Sequence, residues 1–484
     1  MKISRLFCAA IPLVCIACSP TPLVYQPSDT SGKATGRVQP LTNLLPIDSH
    51  VRLIFVHGVG DHCPGYALDP ETGWLSTENA AAMGLTPVSN VEPVAHFIDV
   101  SVYMKGIKDR SSGVSFAKKD YRLTLPDRAE VEVEAIEITW SSLTQWIKST
   151  QLGYDSPSIF ADKDSPPCLQ RGGVDLASTV QAPWRVPINK TIKEQVFDRN
   201  LADAMLYAGT YRQTIERGLA EGLCHAVTPT ADDAKCIWPS AQDSDRSAYK
   251  NLFVTHSLGS RMIYDMFLDL MSDAKENIIP LDERQKARPF IERMLADTPA
   301  FYMMANQLAL LGLANVSPDI RSVNPRPLSN TTGQLIEPAK GSNGSSPPLP
   351  FSLAVESEAP GVPELPKAPS EPLVFDNVLL KIGNLKALAA AKTRRPVTKL
   401  EIVSFNDTND LLTWHIPSWY DTAKASAPGR QVIHVTDVFV RNATRWLYLF
   451  EDPADAHVNY FNNPSVRNII RCGAAKGKVS ACTD

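Results

Sequence analysis

The chain has 484 residues, 44% hydrophobic and 21% charged, which is enough apolar material for a large globular core. Its formal net charge is -4, and no clustered basic face is evident, so a nucleic-acid partner is not expected. Many of the 38 prolines fall in two stretches that read as linkers.

Residues 1–18 read as a targeting segment. Lys2 and Arg5 precede an apolar run from Leu6 to Ala17 that is too short for a stable transmembrane helix. The run ends in Cys15-Ile16-Ala17-Cys18-Ser19, which resembles the bacterial lipobox, although Cys15 stands where leucine is usual. That resemblance implies a lipid on Cys18, membrane anchoring, and the outer membrane over the inner because Ser19 follows. Six further cysteines, Cys63, Cys168, Cys224, Cys236, Cys472 and Cys482, form an even set suited to disulfides in an oxidising compartment. Cys224 with Cys236 and Cys472 with Cys482 would each close a short loop, leaving Cys63 with Cys168, but spacing alone leaves the pairing open. No cysteine or histidine spacing suits a structural metal.

Residues 19–46 are rich in Pro, Ser, Thr and Gly and read as a flexible tether to a domain over 47–484. Val51–Val56 is an apolar, β-prone run stopped by His57-Gly58, the pattern of a buried parallel strand. Ala129–Trp140 is a second strand candidate. A helix is expected over Asn200–Leu223 from the spacing of Leu201, Met205, Ala208, Tyr211, Ile215 and Leu219. Leu252–Val254 is a short strand followed by a helix from Leu258 to about Ser272. Pro299–Leu313 is apolar and fits strand or helix. Residues 318–372 are too polar and proline-rich for core and read as an insertion. Leu400–Phe405 and Gln431–Val440 are strand candidates, and Pro464–Cys472 is the last helix. Strands alternating with helices predict a largely parallel sheet covered on both faces.

Four segments carry chemistry. Leu252 to Ser260 reads as a strand running into a tight turn that holds Ser257 and then into a helix. A strained turn of this kind lifts a serine hydroxyl clear of a sheet, and small neighbours such as Gly259 let the backbones approach. Thr255 departs from the strict G-x-S-x-G form. The second segment, His57-Gly58-Val59-Gly60, ends a strand and can turn amides toward a developing oxyanion. The donors would be the backbone N–H groups of Val59 and Leu258, with His57 a structural part of the loop. After Leu400–Phe405 come Asp407 and Asp410, either of which could orient a histidine. Asp410, which apolar residues follow, is closer to the pattern of lipase- and esterase-like hydrolases and is favoured on that resemblance, with Asp407 the alternative acid. His457, ahead of Tyr460, Phe461 and the last helix, resembles the catalytic histidine segment of lipases and is the expected base, and His415 is its rival.

The order oxyanion loop, serine, acid, histidine is similar to that of the α/β-hydrolase superfamily, in particular its lipase- and esterase-like members. The resemblance spans roughly Val51–Cys472. It implies an α/β-hydrolase fold with a mostly parallel sheet flanked by helices. A cap-like insertion at about 90–246, holding Trp140, Trp146 and Trp184, and the proline-rich insertion would interrupt it. It implies an acyl-enzyme on Ser257, with a small-molecule or lipid ester as substrate, and this acyl-transfer chemistry requires no metal or organic cofactor. A phospholipase or acyltransferase acting on lipids is the alternative within that class. A non-catalytic surface binding protein on a hydrolase scaffold is the alternative outside it.

Overall fold

In a computed structural model of the chain, the described residues are 22–27, 36–46, 49–98, 113–125, 130–153, 155–156, 185–228, 236–239, 249–274, 277, 279–313, 377–416, 432–443, 445–446, 450–475 and 478–480. The chain divides into two compact units, Met1–Leu311 with Asn377–Asp484, and Gly312–Asp376. Cys18, Trp184 and the proline-rich stretch 318–372 lie outside the described residues.

The first unit is built on a ten-stranded sheet. Its strands in chain order begin with β1 (Leu23–Tyr25), then β3 (His50–Val56), β4 (Leu85–Pro87), β5 (His96–Phe97), β6 (Ser115–Leu123) and β7 (Val131–Thr139), with the small β2 (Arg37–Val38) lying in a separate sheet. They continue with β8 (Tyr249–His256), β9 (Ala300–Met304), β10 (Leu400–Asp407) and β11 (Ile433–Val440). The spatial order is β1-β11-β10-β9-β8-β3-β7-β6-β4, with β5 on β6. The run from β11 to β7 is parallel throughout. Antiparallel strands close it at both edges, β1 on β11 and β6 on β7.

The central strands are nearly continuous apolar runs because both faces are covered. Alternation along each strand sends Ile54, Ile136, Phe253 and Phe301 to one core, and Leu53, Phe55, Val254 and Tyr302 to the other. Helices Arg212–Val227, Leu258–Met271, Leu281–Ala296 and Val378–Lys392 contribute to the first core. Val466, Ile469 and Ile470 of the helix Pro464–Cys472 seal the second.

Several expectations change. Leu23–Tyr25 pairs with β11 and Val24 is fully buried, so the stretch 19–46 is not all tether. Asn200–Leu223 is not one helix: the helix ending at Ala208 is broken at Gly209, and a new one starts at Arg212. Tertiary packing overrides the continuous apolar spacing there, because Tyr207 and Ile215 must both reach the core. Within 90–246, β6 and β7 belong to the main sheet and Arg212–Val227 packs on it, so much of this range is core. Pro299–Leu313 resolves into β9 and a short helix, Leu308–Gly312. Cys224 and Cys236 are disulfide-bonded to each other. Cys63 and Cys472 each take part in a disulfide as well, and Cys168 and Cys482 lie outside the described residues.

Candidate functional site

Because β3, β8, β9 and β10 run parallel, their C-terminal ends lie side by side. Register pairs Val56 with Thr255, His256 with Met304 and Phe405 with Met304. The loops after these ends are therefore neighbours, which is where open α/β sheets place ligands.

Ser257 sits between β8 and the helix Leu258–Met271 with φ 53° and ψ -124°. A non-glycine residue at such a positive φ costs about 1–3 kcal/mol and persists only when its surroundings dictate it. Here the Ser257 amide donates to the Met304 carbonyl at 2.7 Å. Two glycines make the turn possible. A Cβ on Gly58 would lie 2.4 Å from the Ser257 Cβ, and one on Gly259 would lie 2.4 Å from the His57 carbonyl oxygen. Thr255 is accommodated without glycine, since its hydroxyl lies 2.8 Å from the Ser260 hydroxyl.

The loop after β3 is held by its own side chains. His57 Nε2 accepts the Trp140 amide at 3.0 Å, which leaves Nδ1 to donate to the Gly58 carbonyl at 2.8 Å. The Trp140 indole stacks on the His57 ring at 4.9 Å and its Nε1 donates to the His57 carbonyl. Burial, then the neighbouring His62, push His57 well below the usual histidine range. His57 is therefore a neutral strut of the loop, and Trp140 packs against that strut. Gly60, at φ +101°, donates its amide to Asp203 at 2.8 Å. That amide is committed, which leaves Val59 as the loop's candidate oxyanion donor. Leu258 opens a helix, so its amide has no acceptor one turn back and carries the positive end of the helix dipole.

Asp410 and His457, the expected acid and base, meet. His457 lies on the short helix Pro453–Val458, and its Nδ1 is 2.9 Å from both carboxylate oxygens of Asp410. Asp410 also accepts the Tyr460 hydroxyl at 3.1 Å and the Leu412 amide at 2.8 Å. Burial, then the Asp410 charge, hold the Tyr460 phenol far above its usual range, so it stays a donor. Asp407 has another task. Its carboxylate accepts the amides of Asn409 at 2.9 Å and Asn442 at 2.6 Å, closing the turn after β10. His415 is exposed and His457 buried.

Two histidines that the sequence reading passed over belong to this cluster. His256 Nε2 donates to the His457 carbonyl at 2.7 Å, and the two rings lie 4.7 Å apart. Burial, then the adjacent His457, keep His256 neutral. His62 packs on His57 at 4.4 Å, with Nε2 3.3 Å from the Val59 carbonyl, and burial lowers it to about 4. The pairing of histidine with serine at 256–257 was the available signal for the first; nothing local marks the second.

With its Nδ1 proton directed at Asp410, His457 has Nε2 left to take a proton. That nitrogen and the Ser257 hydroxyl are both buried without a hydrogen-bond partner, so no hydrogen bond joins them in this structure. Ser257 is 0% exposed. A cavity of about 680 Å³ borders Gln39, Lys250, Asp297 and Glu401 at the opposite ends of the strands. Among the described residues no group of three or more His, Cys, Asp or Glu side chains is arranged to hold a metal ion, and no helix is long and apolar enough to cross a membrane. No known protein family, curated protein or solved structure matches the chain.

Proposed function

We propose that this chain is an α/β-hydrolase-type serine hydrolase that cleaves a carboxylic ester through Ser257, His457 and Asp410. The observation that carries the reading is the bond from His457 Nδ1 to both Asp410 oxygens at 2.9 Å, beside a serine held at positive φ on a strand-to-helix turn. Serine hydrolases need those parts. Asp410 holds the imidazole by Nδ1, which leaves Nε2 without a partner. His457 takes the Ser257 proton as Oγ attacks the acyl carbonyl. The tetrahedral oxyanion is received by the amides of Val59 and Leu258. His457 then protonates the leaving alcohol, and water releases the acyl group by the reverse steps. Geometry between a serine and its base commonly tightens only with substrate bound.

On this reading the buried Ser257 hydroxyl must become accessible before a substrate can react. The proposed location is the outer membrane, through a lipid on Cys18, and the disulfide between Cys224 and Cys236 supports an exported chain.

The test is labelling of the purified chain with a fluorophosphonate, paired with hydrolysis of p-nitrophenyl esters of graded chain length. Wild type should label and turn over, while Ser257→Ala should do neither and His457→Ala should lose turnover. Absence of labelling in the wild type, or labelling that survives Ser257→Ala, would remove the enzyme reading. Replacement of Cys18 by Ser should release the protein from the membrane fraction.

A further inference from the structure

We infer that Asp203, held by Lys148, is a positioning residue that sets the oxyanion loop from beneath. The inference rests on the serine-hydrolase reading above. Asp203 comes from the helix Ala202–Ala208 and Lys148 from the helix Ser142–Leu152, both outside the segments that carry the triad.

Each polar end of Gly60 is engaged. Its amide donates to Asp203 Oδ2 at 2.8 Å, and its carbonyl accepts the Ser141 hydroxyl at 2.9 Å. The preceding carbonyl, that of Val59, faces His62 Nε2 at 3.3 Å. The peptide plane between Val59 and Gly60 is thus fixed from both sides, one bond from the amide proposed to meet the oxyanion. A displaced donor costs catalysis steeply, because such groups act at the place where charge develops.

The group beneath is an ion cluster. Lys148 Nζ is 3.0 Å from Asp203 Oδ1 and 3.3 Å from Asp61 Oδ1, and it donates to the Arg199 carbonyl at 3.0 Å. Arg199 Nε in turn lies 3.3 Å from Asp61 Oδ2. Asp203 is 0% exposed and Lys148 1%. Burying charges at such depth is costly, and apolar packing often serves stability equally well. The triad does not use these residues. What the cluster supplies is a fixed acceptor on a neighbouring helix for the Gly60 amide, and a fixed Asp61 on the loop after β3.

The experiment uses full-length protein and ester kinetics. Asp203→Ala should lower kcat about 10²- to 10³-fold with little change in KM, as for loss of an oxyanion donor. A trifluoromethyl ketone, whose addition to Ser257 creates the same oxyanion, should weaken by the same factor. The double variant Lys148→Met with Asp203→Asn keeps an acceptor for the Gly60 amide without the Lys148–Asp203 charge pair and leaves Asp61 with Arg199. It should recover most of the lost kcat, whereas general loss of packing would not be rescued this way. If Asp203→Ala does not fold, Ser141→Ala releases the other end of Gly60 and should show the same kcat-specific loss, about tenfold. An active wild type whose Asp203→Ala and Ser141→Ala variants keep their kcat would overturn the positioning role alone. A wild type with neither turnover nor fluorophosphonate labelling would overturn the serine-hydrolase reading and this inference with it.

Discussion

Replacing Asp410 and Asp407 separately by asparagine gives the sharpest test, because the two carboxylates sit three residues apart and do different work. Asp410 receives the His457 Nδ1 proton on both oxygens at 2.9 Å. An asparagine there presents an amide N–H to Nδ1 and favours the opposite tautomer, which removes the lone pair from Nε2. In triads that change lowers kcat about 10⁴-fold, or about 5.5 kcal/mol at 1.36 kcal/mol per decade. Asp407 instead accepts two amides, from Asn409 and Asn442. In the Asp407→Asn variant the side-chain carbonyl can still accept one of them, so the loss is about 1.5–3 kcal/mol of stability for a bond to a charged group, with kcat nearly unchanged. Ester turnover measures the first effect, and urea melts of the same preparations measure the second. A folded Asp410→Asn variant with wild-type kcat, alongside an inactive Asp407→Asn, would refute the assignment.

Four further outcomes follow from the same geometry. Gly58→Ala would place a methyl 2.4 Å from the Ser257 Cβ, and should abolish turnover or folding, read by kinetics and circular dichroism. Tyr460→Phe removes the hydroxyl that donates to Asp410 and accepts the Asp407 amide; stability should fall by about 1–3 kcal/mol in a urea melt. Asp437, fully enclosed between β10 and the Ile416 amide, is pushed by burial to about 7. Its folded pKa lies above the unfolded value of about 4, so its stabilisation is full below about pH 4 and is lost as pH rises through about 7. Asp437→Asn should therefore flatten the decline in melting temperature between about pH 4 and 7. Reducing the Cys224–Cys236 bond, which closes a separation of 12 residues, should cost about 3 kcal/mol, measured by comparing Cys224→Ala/Cys236→Ala with wild type.

By itself the sequence determined the elements whose signal is local. Apolar runs stopped by glycine marked β3 and β8. The turn at Ser257 was legible because a strand must bend sharply into a helix over small residues. The last helix was legible from Pro464 to Gly473 because proline and glycine punctuate its ends. A carboxylate at 407 or 410 and the imidazole of His457 were legible as candidates from a late strand, the last helix and the family resemblance, and the structure joins Asp410 to His457 by a hydrogen bond. Only the tertiary structure decided what depends on distant partners. The antiparallel strands β4 and β5 carry too short a pattern to be read alone, and Leu23–Tyr25 becomes a strand only because β11 offers an open edge. Gly209 divides a helical run whose spacing is unbroken. The separation of Asp407 from Asp410, the use of Gly60 by Asp203, and the bond from His256 to the His457 carbonyl join residues far apart in the chain or hang on where a loop turns. Local sequence encodes backbone preference, whereas these choices are set by which polar groups are left to satisfy one another once the sheet has closed over them.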